Sequence, residues 1–151
     1  MSVDIQYRNL PMLLLQTREQ IIMHFRPILN HHGLTEQQWR IMRVLHEKHS
    51  MEPRELCQHC QILSPSLTGI LKRMEEMQLI DKTGMPGDKR RLNITLTTQA
   101  TALIEAISPL ISEQYSYLEE AYGKPVFDQL QDILVLFAET EEVSVRQVTL
   151  K

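Results

Sequence analysis

At 151 residues the chain is long enough for one compact domain with a real core and too short for two ordinary ones. Its apolar runs fall short of a membrane span, its first twenty residues lack the layout of a secretory leader, and its two cysteines are too few and too close for a disulfide scaffold, so a cytoplasmic protein is expected. The net charge of −3 divides into +1 over residues 1–34, +2 over residues 35–97 and −6 over residues 98–151; the middle is therefore basic, and the acidic end is screened from it beyond about 10 Å at 0.1 M salt.

From Pro11, which suits a first helical turn, Leu14, Ile21, Phe25 and Ile28 recur at helical spacing and predict one helix ending at His31-His32-Gly33. Thr35 and Gln38 form a capping box that starts a second helix, running to about His49. A short third helix is expected from Pro53 to about His59. Ser64 as N-cap and Pro65 at the first helical position open a fourth, with Leu67, Ile70, Leu71, Met74 and Met77 as its apolar stripe. Residues 79–83 and 92–96 alternate around a connection holding Gly84, Pro86 and Gly87, which reads as a β-hairpin. Thr97 or Thr98 then caps a long helix to about Tyr122, with a bend expected at Pro109. After Gly123 a last helix aligns Phe127, Leu130, Ile133, Leu134 and Phe137 on one face.

The order predicts a mostly α fold with a small β-hairpin wing (α+β): a winged helix-turn-helix carrying long N- and C-terminal helices. Residues 35–97 would form the DNA-binding lobe of one continuous domain. Residues 1–34 and 98–151 carry more apolar surface than that lobe can cover, so they are expected to build a homodimer.

Lys89, Arg90 and Arg91 fall at the tip of the hairpin, where a narrow basic finger can enter a minor groove, and Asp88 is placed to pair with Arg90 and hold its direction. A lone basic run is more often a solvated turn; behind a helix-turn-helix pattern the groove reading is favoured. On the fourth helix, the face away from the core holds Pro65, Thr68, Gly69 and Lys72, with Ser66 and Arg73 at its margins and Ser64 at its start. Small residues let a helix backbone sit deep in a major groove, while hydroxyls and cations donate to bases and phosphates. An ordinary solvated face would carry more Glu and Lys, and Glu75 and Glu76 stand only at the far end. No nucleophile–base order, phosphate loop or carboxylate pair supports an enzyme, and no cofactor is called for.

The segment Asp88-Lys-Arg-Arg-Leu-Asn-Ile-Thr-Leu-Thr97 resembles the wing of the MarR family, D-x-R-x-x-x-[VI]-x-L-T, and Leu34-Thr-Glu-Gln-Gln-Trp-Arg-Ile-Met-Arg43 resembles that family's second helix. Through Phe25-Arg-Pro27, Leu34 to Arg40 and Ser64-Pro-Ser-Leu-Thr-Gly-Ile-Leu71 the chain is similar to the subgroup that regulates homoprotocatechuate and hydroxycinnamate breakdown. The resemblance implies a dimeric repressor of aromatic-compound degradation genes that binds pseudo-palindromic duplex DNA and is released by a small aromatic acid or phenol.

Arg18 and His24 edge the apolar stripe of the first helix, and Trp39, Met42, Arg43 and His46 share a face of the second. An apolar floor edged by cations suits a flat ring with a carboxylate or phenol. The resemblance implies that an arginine of the first helix holds the carboxylate, which falls on Arg18 with His24 beside it; Trp39 and Arg43 complete the candidate ligand site. The plainer reading, packing between subunits with these groups paired to Asp or Glu, stays open. An alternative regulator would sense thiol oxidation or a metal through Cys57-Gln-His-Cys60, but that motif lacks a second ligand pair at zinc spacing.

Overall fold

The expected first helix is two helices, α1 (Leu10–Ile22) and α2 (Arg26–His31), in the computed structural model. Pro27 has no N–H to offer the Met23 carbonyl four residues back, and its ring crowds that oxygen. The intervening turn uses tighter bonds instead, from the His24 N–H to Ile21 O at 3.2 Å and from the Phe25 N–H to Ile22 O at 3.0 Å. The structure describes residues 1–141 and 143–151, all with side chains except Lys89. It divides into two compact units, Met1–Gln114 and Tyr115–Lys151.

In the first unit, Asn9 accepts from the Met12 N–H and caps α1. Gly33, at φ +74°, turns the chain after α2, and the capping box forms as expected: Thr35 accepts from the Gln38 N–H at 3.1 Å while Gln38 accepts from the Thr35 N–H at 3.0 Å. It starts α3 (Glu36–Lys48), which buries Trp39, Ile41, Met42 and Leu45. Full burial of each such side chain contributes about 1.5–3 kcal/mol. A strand not foreseen from the sequence, β1 (Ser50–Met51), follows, then α4 (Pro53–Cys60) and α5 (Ser64–Glu76). Between them Gln61 adopts a left-handed conformation, φ 53°, at the C-cap of α4.

The hairpin comprises β2 (Ile80–Met85) and β3 (Asp88–Leu96), and β1 adds to its other edge to give an antiparallel sheet in the order β1-β3-β2. Thr97, rather than Thr98, caps α6 (Thr98–Tyr122) by accepting from the Ala100 N–H at 3.1 Å, and its hydroxyl also donates to the Gln78 carbonyl. The start of α6 lies in the first unit, where Ala100, Ile104 and Ile107 are buried. The helix runs without a break through Pro109.

In the second unit, Gly123, at φ +90°, separates α6 from α7 (Lys124–Glu139). Phe127 is buried and lies against the Tyr122 ring. Ile133, Leu134, Val135, Leu136 and Phe137 are exposed. Among the described residues no helix is long and apolar enough to cross a membrane.

Candidate nucleic-acid interface and ligand site

Helix α5 turns Leu67, Leu71 and Met74 into the core and leaves Ser64, Pro65, Ser66, Thr68, Gly69, Lys72 and Arg73 exposed. The polar face read from the sequence is therefore the solvent face. Its start differs by one residue: Leu63 is the N-cap, Ser64 is already helical, and no side chain caps the helix. Thr68 Oγ1 donates to the Ser64 carbonyl at 3.4 Å, and Arg73 lies 3.8 Å from Glu76; both are loose enough to give way to an outside partner.

Gly69 is the informative residue on this face. A Cβ at that position meets nothing within 4 Å, so the fold itself makes no use of the missing side chain. A mid-helix glycine nevertheless costs about 0.5–1 kcal/mol relative to alanine. Gly69→Ala is accordingly expected to raise the stability by about that amount, read by thermal or denaturant unfolding. If a DNA backbone or base edge occupies the space, the same change weakens operator binding.

The basic run sits differently from the hairpin tip expected for it. The tip is Pro86-Gly87, with Gly87 at φ +84°. Gly84 pairs with Leu92 and Met85 with Asp88, so residues 89–91 stand opposite no β2 residue and form a bulge. A bulge re-aims the side chains it carries and leaves backbone groups to be satisfied elsewhere. Asp88 does this locally: its carboxylate accepts from the Arg90 backbone N–H at 2.9 Å. The expected pairing of Asp88 with the Arg90 side chain is thus replaced by a bond to its backbone, which shapes the bulge rather than holding the guanidinium. Arg90 is exposed, and Arg91 is paired with Glu52 at the start of α4. The side chain of Lys89 lies outside the described residues.

Of the candidate ligand residues, Arg18 is on α1, His24 in the turn after it, and Trp39 and Arg43 on α3. Trp39 is part of the core, and His24 is half-buried. Arg43 lies exposed against Glu47, one turn along its own helix, at 3.0 Å. Arg18 pairs with Glu36. Glu36 also accepts from Arg40 at 3.1 Å and lies 3.7 Å from Arg26. Arg26 in turn pairs with Glu19, and this hydrogen bond holds the Glu19 carboxyl below its ordinary value. Three guanidiniums therefore meet two carboxylates, leaving one positive charge in excess beside α1.

This cluster was missed in the sequence, although Glu36 and Arg40 stand at i,i+4, a spacing that favours pairing. Arg40 ties it onward, donating to the Cys60 carbonyl at the end of α4 at 2.6 Å, while its Nε is buried without a partner among the described residues.

A cleft of about 530 Å³ opens between α4, α5 and the sheet, lined by Pro53, Cys57, Leu67, Leu71, Leu92 and Ile94 among others. Two shallower grooves follow α1. None of these three is lined by Arg18, His24, Trp39 or Arg43. Cys60 is buried, and burial pushes its thiol pKa up, which lowers the thiolate population that oxidation or metal binding requires. No group of three metal-ligating side chains forms among the described residues.

Comparison with known proteins agrees with this geometry. The MarR family model matches residues 34–92. The homoprotocatechuate degradative operon repressor of Escherichia coli is 42% identical over 129 residues, covering 85% of this chain and 87% of the relative. The HTH-type transcriptional regulator FarR of Neisseria gonorrhoeae is 36% identical, covering 94% of this chain and 97% of the relative. The crystal structure of NadR in complex with 4-hydroxyphenylacetate superposes with a TM-score of 0.78 at 36% identity, covering 93% of this chain and 100% of NadR. A winged helix-turn-helix with an exposed, glycine-bearing face on α5, matched along nearly its whole length by named transcription regulators, makes this chain a member of the MarR family of DNA-binding transcriptional regulators and not an enzyme.

Proposed function

We propose that the protein is a cytoplasmic, dimeric repressor of genes for aromatic-compound breakdown that leaves its operator when a small aromatic acid binds. The observation that carries the ligand half is the surplus of guanidinium charge around Glu36, on the helices whose exposed faces a second copy would cover. Two relatives point to the same chemistry. One is named for the homoprotocatechuate operon, and the other is crystallised with 4-hydroxyphenylacetate. Both compounds are hydroxylated phenylacetates, with a flat ring, a phenol and a carboxylate.

For the DNA half, the α5 residues Ser64, Ser66, Thr68, Gly69, Lys72 and Arg73 enter the major groove, and the wing around Asp88 and Arg90 enters the adjacent minor groove. Lys89 and Arg91 belong to the same basic run. Two such modules related by a two-fold axis read half-sites about 34–36 Å apart. The dimer is supported by exposed Leu10, Met12, Leu13, Leu14 and Leu15 on α1 and, in the other unit, by exposed Ile133, Leu134, Val135, Leu136 and Phe137 on α7, since clustered exposed apolar side chains mark interaction surfaces.

A ligand carboxylate would take Arg18 away from Glu36, with His24, Trp39 and Arg43 as the remaining candidate contacts. The cluster holds one guanidinium more than it holds carboxylates, so Arg18 can turn to a ligand carboxylate, a charge-assisted contact of about 1.5–3 kcal/mol, while Glu36 keeps Arg40 and Arg26. Arg18→Ala is expected to leave operator affinity close to wild type and to weaken binding of 4-hydroxyphenylacetate about tenfold or more, measured by calorimetric titration. Unchanged ligand affinity in Arg18→Ala would move the carboxylate to another cation, with Arg43 the next to test.

A further inference from the structure

Arg91 stands in the basic run of the wing, yet its guanidinium is already engaged by the carboxylate of Glu52. Glu52 is well placed to anchor it. Its backbone N–H is held by the Glu55 carboxylate at 3.1 Å, fixing it as the N-cap of α4. It directly follows Met51, which pairs with Ile94 in the β1–β3 ladder. The Glu52 side chain is 24% exposed, against 55% for Arg91, so the acid is the sheltered partner and the arginine reaches in to it.

The place where this tie acts matters. The β2–β3 ladder is regular up to Gly84–Leu92 and resumes only at Met85–Asp88, leaving residues 89–91 without ladder partners. A hairpin arm with such a gap lacks the backbone bonds that would fix its angle to the rest of the lobe. Arg91 lies at the edge of the gap nearest the body of the lobe, and its ion pair joins the arm to the start of α4. Neutralised by Glu52, Arg91 offers little to a phosphate, whereas Arg90, exposed and absent from every ion pair among the described residues, keeps its charge available.

We propose that Arg91 is a positioning residue for DNA binding: through Glu52 it sets the wing's angle to the helix-turn-helix, and it does not itself contact DNA. The test is operator affinity across a salt series for Arg91→Ala, Glu52→Gln, the double variant and Arg90→Ala, each with a wild-type circular dichroism spectrum. The pair is partly exposed, so each of the two single changes should weaken operator binding about threefold per wing, or about tenfold for two wings. The double variant should be no weaker than either single one, because both remove the same interaction. The salt slope should match wild type for Arg91→Ala and Glu52→Gln, and fall by about 0.9 per wing for Arg90→Ala.

A slope that falls in Arg91→Ala as it does in Arg90→Ala would overturn the proposal, since it would count Arg91 as a phosphate contact. So would a Glu52→Gln protein that binds as well as or better than wild type, the result a liberated Arg91 would give. Additive losses in the double variant would also overturn it.

Discussion

Replacing Leu134 with glutamate is expected to give a folded protein that no longer dimerises and no longer holds its operator. Leu134 is 43% exposed in the single chain, with Ile133, Val135, Leu136 and Phe137 exposed around it. Within one chain Leu134 already keeps 43% of its surface in water, so the substitution should cost at most about 1–2 kcal/mol of stability. In a two-fold interface the same change buries two carboxylates without partners. At about 2 kcal/mol or more for each, the dimer dissociation constant should rise about a thousandfold or more. Sedimentation should show monomer, circular dichroism should show wild-type helix content, and operator binding should fall with the loss of the second half-site. A folded Leu134→Glu dimer would place the interface on another face; a monomer with wild-type operator affinity would contradict two-fold recognition itself.

The second large effect belongs to Arg90. It is exposed in the bulge of β3, and Asp88 binds its backbone rather than its guanidinium. Truncation to alanine should therefore leave the fold within about 0.5 kcal/mol of wild type. A charge-assisted contact in the minor groove is worth about 1.5–3 kcal/mol, so operator affinity should drop at least about tenfold. If both wings engage, the plot of log affinity against log salt should lose about 1.8 from its slope, about 0.9 for each cation removed. Equal affinity and equal slope in wild type and Arg90→Ala would remove the wing from the interface.

The parts of this fold set by local chemistry were legible in the chain. The Thr35–Gln38 box and the stripe Leu67, Leu71, Met74 follow from spacing of a few residues and stand where they were read, and of the two threonines read as a cap for α6 it is Thr97 that caps it. Pro27 also carried a local signal, but the apolar spacing on either side of it, from Leu14 to Ile28, continues in phase and conceals the break. Strand β1 has only two residues, too short to show alternation; it exists because Ser50 and Met51 meet Thr95 and Ile94 in β3. The bulge at residues 89–91 was likewise hidden, because register depends on how Pro86-Gly87 turns rather than on the basic residues themselves.

At the candidate ligand site the pattern is similar. Arg43–Glu47 lies one turn apart on one helix and was readable as an i,i+4 pair. Arg18–Glu36 joins residues eighteen apart, and no period in the sequence brings them together. That Arg18 needs an anionic partner did follow from its place beside an apolar stripe. The partner is Glu36. For a ligand to act on DNA binding it must prefer one arrangement of the two recognition helices, since equal affinity for both arrangements shifts nothing.

The most direct measurement is fluorescence anisotropy of a labelled DNA fragment from upstream of the gene, bound by the wild-type protein and titrated with 4-hydroxyphenylacetate and with homoprotocatechuate. A ligand-released repressor shows a saturable loss of anisotropy with these acids and none with benzene-ring compounds lacking the carboxylate and phenol. Tight, salt-dependent binding that no aromatic acid reverses would contradict the ligand-released mechanism while leaving DNA binding in place, and failure to bind the fragment at low salt would contradict both.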